Sequence, residues 1–298
     1  MNTPCTKTPP ENLAVTPDFL CIGAIKAGTT WLHACIAEHP EIFAPPTKEI
    51  EFFNNRYEQG EQWYQRFFQD ANGMTCGEST PGYLHHPDSA MRIHKLNKDM
   101  KLIICLRNPV ERALSHFLMD GRKSTTMLNA QIQEFSKLAK ENTGHFNKYI
   151  NYGLYAEQID NYLKFFPISQ MHFVVFDDIA DRPEELLKAT YQFLNVDDSY
   201  LPSVMRKKIN PASDYKSLYI FILMQKAVRF SEASFLKGLI LKLKTNGVRD
   251  RILNLLRKPQ EKPSAPPETR RILTDLYKQP NQRLEQLTNL NLSHWNSN

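Results

Sequence analysis

The stretch Cys21-Ile-Gly-Ala-Ile-Lys-Ala-Gly-Thr-Thr-Trp-Leu32 decides the fold. An apolar run from Asp18 to Ile25 enters a glycine-containing turn, and helical spacing follows from Thr30 to Glu38, ending before Pro40. Strand, loop and helix in that order can grip a phosphate, because a helix N-terminus presents free N–H groups and a partial positive charge. Gly23 and Gly28 keep the spacing of the nucleotidase pattern G-x-x-x-x-G-K-[ST]. Thr29, however, stands where the lysine of that pattern belongs, and Lys26 lies inside the loop. Gly28 lets the backbone approach an anion, Thr29 and Thr30 add hydroxyl donors, and Lys26 supplies a point charge. The loop therefore suits an anion other than the β- and γ-phosphates of ATP or GTP. A plain tight strand–helix turn is the alternative at this point.

Two further strands follow the same logic. Met100-Lys-Leu-Ile-Ile-Cys-Leu106 is an apolar run broken by Arg107-Asn-Pro. Asn108 is a good N-cap, Pro109 a good first helical residue, and Glu111 completes a capping box for a helix running past Ser115 and His116. Gln170-Met-His-Phe-Val-Val-Phe176 is the third strand. Asp181 is expected to cap the next helix, with Leu186, Leu187, Tyr191, Phe193 and Leu194 on its apolar face. Strands alternating with helices imply an α/β fold: a P-loop-like, three-layer structure around a central parallel sheet. Ligands of such sheets bind at the carboxyl ends of the strands. Lys26 and Arg107 both follow such ends, so they are expected to face one crevice although 81 positions separate them. An arginine ending a strand and a serine about two helical turns later, Arg107 and Ser115, are suited to clamp a second phosphate.

Composition bounds the rest. At 298 residues the chain makes one large domain or two small ones. A hydrophobic content of 41% supports a real core, and a net charge of +5 suits a small anionic ligand rather than nucleic acid. The five cysteines are odd in number and none has metal-ligand spacing, a pattern of a reducing, cytoplasmic compartment. No metal-ligand cluster is evident; the adjacent His85 and His86 read as surface or substrate-side residues. The polar, proline-rich start contains no apolar signal segment, and no run of about 18 apolar residues occurs to span a membrane. Residues 1–17 are expected to form a flexible arm and 18–298 a single domain, with helical C-terminal additions over about 212–298. Residues 205–258 carry 13 Lys/Arg against 3 Asp/Glu. Within them, Phe235 to Leu256 is amphipathic and basic. It reads either as a solvated helical face or as a peripheral contact with an anionic membrane. A final helix runs from Glu268 to about Leu287 and leads to Trp295.

Four ordered motifs carry a resemblance. Gly23-Ala-Ile-Lys-Ala-Gly-Thr-Thr30 is similar to the 5′-phosphosulfate loop of sulfotransferases that use 3′-phosphoadenosine 5′-phosphosulfate (PAPS). Leu106-Arg-Asn-Pro-Val-Glu-Arg-Ala-Leu-Ser115 resembles their 3′-phosphate segment. Lys48-Glu-Ile-Glu-Phe-Phe-Asn54 resembles the catalytic segment of the heparan sulfate branch. Tyr152-Gly-Leu-Tyr-Ala-Glu-Gln-Ile-Asp160 with Phe166-Pro-Ile-Ser-Gln170 resembles a further segment of that branch, and Leu284 to Trp295 its tail.

The resemblance implies a donor with two anionic ends. Lys26, Ala27, Gly28, Thr29 and Thr30 then hold the 5′-phosphosulfate, and Arg107 and Ser115 take the 3′-phosphate. Trp31 either stacks on the adenine, as in cytosolic sulfotransferases, or is a core residue. At least one of Arg206, Lys207 and Lys208 is expected to touch the 3′-phosphate. Glu49 is the expected catalytic base; Lys26 stabilises charge on the leaving phosphate oxygen; no metal is required.

Three departures bear on the acceptor. Ser79, within Gly77-Glu-Ser-Thr-Pro-Gly-Tyr83, stands where the heparan enzymes have a functional lysine. Glu51 stands where 3-O-sulfating members have histidine. No cysteine follows Cys105 to brace a hairpin near the donor loop. An intracellular, bacterial-type relative acting on a hydroxyl or amine of a glycan, glycolipid or small metabolite fits these departures. Residues 52–70, 117–150 and 212–258 are expected to build the acceptor cleft. Two rivals stay open: a P-loop-type nucleotide or small-molecule kinase, and a non-catalytic nucleotide-binding or membrane-surface module. Oligomeric state is not legible.

Overall fold

The computed structural model describes residues 15–121, 128–141, 147–206, 213–215, 257–259 and 264–297. Five parallel strands form the central sheet in the order β2-β3-β1-β4-β5. They are β1 (Phe19–Gly23), β2 (Ile42–Phe43), β3 (Thr75–Ser79), β4 (Lys101–Leu106) and β5 (Met171–Val175). Every residue of β1 is buried, as expected of a strand with a neighbour on each side and helices over both faces. Its register sets Phe19 opposite Gly77 of β3 and Lys101 of β4. After β1 the chain fills one side with β2 and β3, then crosses to β4 and β5 on the other. This reversal of direction opens a crevice at the carboxyl ends of β1 and β4, where ligands of open α/β sheets bind.

Helix α1 (Thr29–Ala37) follows the first loop and buries Thr29, Trp31, Leu32, Cys35 and Ile36 against the sheet. The helix Pro109–Gly121 begins as its sequence requires. Asn108 Oδ1 accepts from the amides of Val110 at 3.0 Å and Glu111 at 3.4 Å. The Glu111 carboxylate departs from the capping box and pairs with Arg107 and Arg270 instead.

The strands β2 and β3 were not anticipated. Asp181 does not cap the helix Pro183–Leu194; it closes the short turn Asp178–Asp181, and Arg182 occupies the cap. Pro183 explains this, since proline favours the first helical position and drives its predecessor out of the helical region. Arg182 accordingly has φ −141° and ψ 52°. The last hundred residues are also not wholly helical, because Ser213–Tyr215 and Arg257–Pro259 form an antiparallel pair, β6 and β7.

The C-terminal helix Pro267–Thr288 has Pro280 inside it and buries Leu273, Tyr277 and Leu284. Tyr277 donates to the Ile150 carbonyl at 2.9 Å, and Arg283 pairs with Asp160 at 2.7 Å. Trp295 is fully buried beside Tyr155, with ring centroids 6.4 Å apart. Cys21, Cys35, Cys76 and Cys105 are buried free thiols. Of the arm expected over 1–17, residues 1–14 lie outside the described residues, and Val15 packs against the core. The basic stretch Phe235–Leu256 also lies outside them. Among the described residues no helix is long and apolar enough to cross a membrane.

Candidate active site

The loop from Gly23 to Thr30 leaves β1 and lies against β4 and the segment that follows β5. The amide of Ala24 donates to the Cys105 carbonyl at 2.7 Å, which ties the loop to β4 as it leaves β1. Gly28 caps α1 with φ 91°, a conformation that favours glycine. A Cβ there would meet Ile179 Cδ1 at 2.5 Å and Phe176 Cδ2 at 3.0 Å, so side chains of the segment that follows β5 would also have to shift. Lys26 has φ 70°, and Arg107 Nη1 donates to its carbonyl at 3.0 Å. The two residues expected to share a crevice therefore touch.

Arg107 is buried. Burial lowers its pKa from the usual guanidinium value, and Glu111 at 4.0 Å offsets part of that effect. Its guanidinium lies over the Phe176 ring at 4.5 Å, and Tyr155 donates to its carbonyl at 2.9 Å. Tyr155 belongs to the segment Tyr152–Asp160, and it rests on Trp295 of the tail. Two of the sequence motifs thus serve a third by holding Arg107 in place. Ser115 stands half-buried two turns along the helix that Arg107 precedes.

The segment Lys48–Asn54 meets the loop from the other side. Lys48 Nζ lies 3.4 Å from Thr30 Oγ1 and 3.3 Å from Glu49 Oε1. Thr30, Lys48, Glu49, Glu51 and Arg56 line one cleft of about 360 Å³. Glu49 is exposed to this cleft. His33, one turn after Thr30, places Nδ1 3.1 Å from Ser79 Oγ. Burial, helped by Lys48, lowers the His33 pKa to about 4, so the imidazole is neutral near pH 7.

Beneath the cleft lies Glu78, 1% exposed. Its carboxylate accepts from the hydroxyls of Tyr83 at 2.6 Å, Thr80 at 2.8 Å and Tyr64 at 3.4 Å. Burial pushes its pKa up to about 7; the three hydroxyls pull the other way, and Glu49 adds to the rise. The folded carboxyl thus keeps a proton from 4.5 to about 7, where the unfolded one has lost it. Stability from this group is therefore greatest at low pH and falls as pH rises through that window, by up to about 1.4 kcal/mol per unit. Urea unfolding of the native chain and Glu78→Gln from about pH 5 to about pH 8 checks this. The native chain should lose stability relative to the variant as pH rises, and a constant difference would refute the assignment.

Other expected residues fall in less decisive places. Trp31 is buried in the main core, and its indole N–H donates to the Met205 carbonyl at 2.9 Å. That bond sets the start of the basic stretch 206–208 against α1. Arg206 itself is exposed and pairs with Glu184 at 2.6 Å, while Lys207 and Lys208 lie outside the described residues. His85 is half-buried and stacks on Tyr152 with centroids 3.7 Å apart. Lys48, Arg56 and Glu78 were given no role by the sequence. Lys48 and Glu78 nevertheless sit inside motifs already singled out, adjacent to Glu49 and Ser79.

Comparison with known proteins places the sequence and the fold. The family model described as "Sulfotransferase domain" matches residues 16–229. The chain is 28% identical over 278 residues to the membrane-associated sulfotransferase kil1 of Dictyostelium discoideum, covering 65% of this chain and 59% of that protein. It is 32% identical over 190 residues to heparan sulfate glucosamine 3-O-sulfotransferase 5 of Mus musculus, covering 60% and 54% respectively. The chain thus spans little more than half the length of these curated relatives. The crystal structure of a sulfotransferase from Alicyclobacillus acidocaldarius superposes with a TM-score of 0.65 at 23% identity, covering 95% of this chain and all of that one, a likeness of fold. A strand–helix loop lacking the nucleotidase lysine, a buried arginine at the end of the adjacent strand β4 and a family match over most of the sequence agree: the chain belongs to the sulfotransferase domain family.

Proposed function

We propose that this protein transfers a sulfuryl group from PAPS to a hydroxyl or amine of a glycan, glycolipid or small metabolite. The observation that carries the reading is Lys48, which bridges Thr30 of the anion loop and Glu49 of the segment Lys48–Asn54. That contact sets a carboxylate base within one side chain of the loop suited to a phosphosulfate. The acceptor O–H or N–H gives its proton to Glu49 as its oxygen or nitrogen bonds to sulfur. The bond from sulfur to the 5′-phosphate oxygen breaks, and Lys26 balances the charge left on that oxygen. Lys26 to Thr30 hold the phosphosulfate; Arg107 and Ser115 hold the 3′-phosphate, and at least one of Arg206, Lys207 and Lys208 touches it. The names of the relatives support a glycan acceptor first. A cytoplasmic location with peripheral membrane contact is compatible with the described residues and with the membrane-associated relative.

Calorimetric titration with adenosine 3′,5′-bisphosphate, and separately with ATP and magnesium, tests the donor class. The bisphosphate should bind and ATP should not. Arg107→Ala should weaken the bisphosphate by about 10- to 100-fold, the loss of charge-assisted hydrogen bonds from a buried guanidinium. Preference for ATP would restore the kinase reading. Bisphosphate binding indifferent to Arg107→Ala would mean that the second anion site lies elsewhere.

A further inference from the structure

Glu78 is buried, yet its hydrogen-bond partners are hydroxyls, and two of those hydroxyls have a second duty. Thr80 Oγ1 also accepts from the Glu51 amide at 3.2 Å. Tyr83 Oη also accepts from the Phe52 amide at 2.9 Å. An ionised carboxylate can only accept. It therefore draws the Thr80 and Tyr83 hydrogens toward itself and leaves their lone pairs facing the two backbone N–H groups. Those N–H groups open the helix α2 (Phe52–Asn55) and belong to the set that has no partner within a helix.

The turn held in this way is one that the backbone resists. Glu51 has φ 60°, an uncommon conformation for a residue other than glycine, and one that persists where its surroundings over-determine it. Ile50 is fully buried on the inner side. With Ile50 pinned and the next two amides held, the carboxylates of Glu49 and Glu51 line the cleft beside Thr30 and Lys48. The geometry points to Glu78 as a positioning residue, which sets the direction of two hydroxyls that hold the turn carrying Glu49 and Glu51. Its importance to turnover rests on the sulfotransferase reading; the relay itself does not.

Amide hydrogen exchange on the full chain at about pH 8, where the carboxylate is charged, tests the relay. Glu78→Gln replaces one acceptor oxygen by a donor, so one hydroxyl loses its acceptor and competes with the backbone. Exchange should rise about tenfold at whichever of Glu51 and Phe52 is held by that hydroxyl. Thr80→Val should raise it at Glu51 alone, Tyr83→Phe at Phe52 alone, and Thr80→Ser should preserve the native rate. The double variant Glu78→Gln/Thr80→Val should exchange at Glu51 no faster than the faster of the two singles. The affinity for adenosine 3′,5′-bisphosphate should stay within about twofold, since the relay lies outside the donor loop. Native protection in Glu78→Gln would overturn the proposal. So would a rise spread evenly over β1, β3 and β4, which marks general destabilisation. If the native chain fails to bind the bisphosphate, the sulfotransferase reading fails, while the exchange pattern at Glu51 and Phe52 still decides the relay.

Discussion

Glu49→Gln is expected to lower kcat by about 10²- to 10⁴-fold, the range for removing a positioned proton acceptor. Glutamine keeps the size of the side chain and removes its capacity to take a proton. Glu49 is exposed to the cleft and its ion-pair partner is Lys48, so little of the packing depends on its charge. Affinity for adenosine 3′,5′-bisphosphate should change by no more than about twofold, because the anion loop is built by other residues. The measurement is release of adenosine 3′,5′-bisphosphate from PAPS in the presence of acceptor, beside calorimetry on the same variant. Glu51 supplies the control, since it lines the same cleft. A large loss in Glu51→Gln with Glu49→Gln active would move the base to Glu51. That outcome matters because, by the family resemblance, Glu51 stands where 3-O-sulfating members have histidine.

Lys26→Ala should cost about 10²- to 10³-fold in kcat, comparable to removing one preorganised donor from an oxyanion site. Its backbone makes the substitution unusually clean. Lys26 sits at φ 70°, and alanine at that φ bears the same steric penalty as lysine, so the loop conformation is penalised equally in both. Arg107 grips the carbonyl of residue 26, a group the substitution leaves in place. What is lost is the ammonium. Lys26→Arg should recover part of the rate because it returns the charge with a different shape. Full activity in Lys26→Ala would show that charge on the leaving oxygen is balanced by another cation, and Lys48 would be the first to test.

Much of the fold was legible because its signals are local. The apolar runs of β1, β4 and β5 are continuous, and continuous runs mark strands buried on both faces. The cap at Asn108 needs only the next three residues. By contrast, β3 reads Thr-Cys-Gly-Glu-Ser and turns Glu78 and Ser79 into the protein, where both are buried. Polar residues in a central strand break the apolar pattern, and they are tolerated here because hydroxyl partners from Tyr64, Thr80 and Tyr83 satisfy the carboxylate. The strand was hidden by the residues that serve the site.

The sequence by itself determined the kinds of chemistry present. Gly28, Thr29 and Thr30 at a helix start offer donors of the kind an anion needs, and the missing nucleotidase lysine argues against ATP from the sequence alone. Only the tertiary structure decided which groups meet. Lys26 and Arg107 touch because β1 and β4 are adjacent in the sheet, and Thr30 reaches Glu49 through Lys48 because β2 and β3 return the chain to the same end of β1. Likewise, Glu78 governs the turn at Glu51 through oxygens whose roles depend on where a proton lies. Backbone spacing encodes local dihedral preferences, which act within a few residues. Contacts between distant residues follow from sheet order and from hydrogen-bond direction, and those are settled only when the whole core is packed.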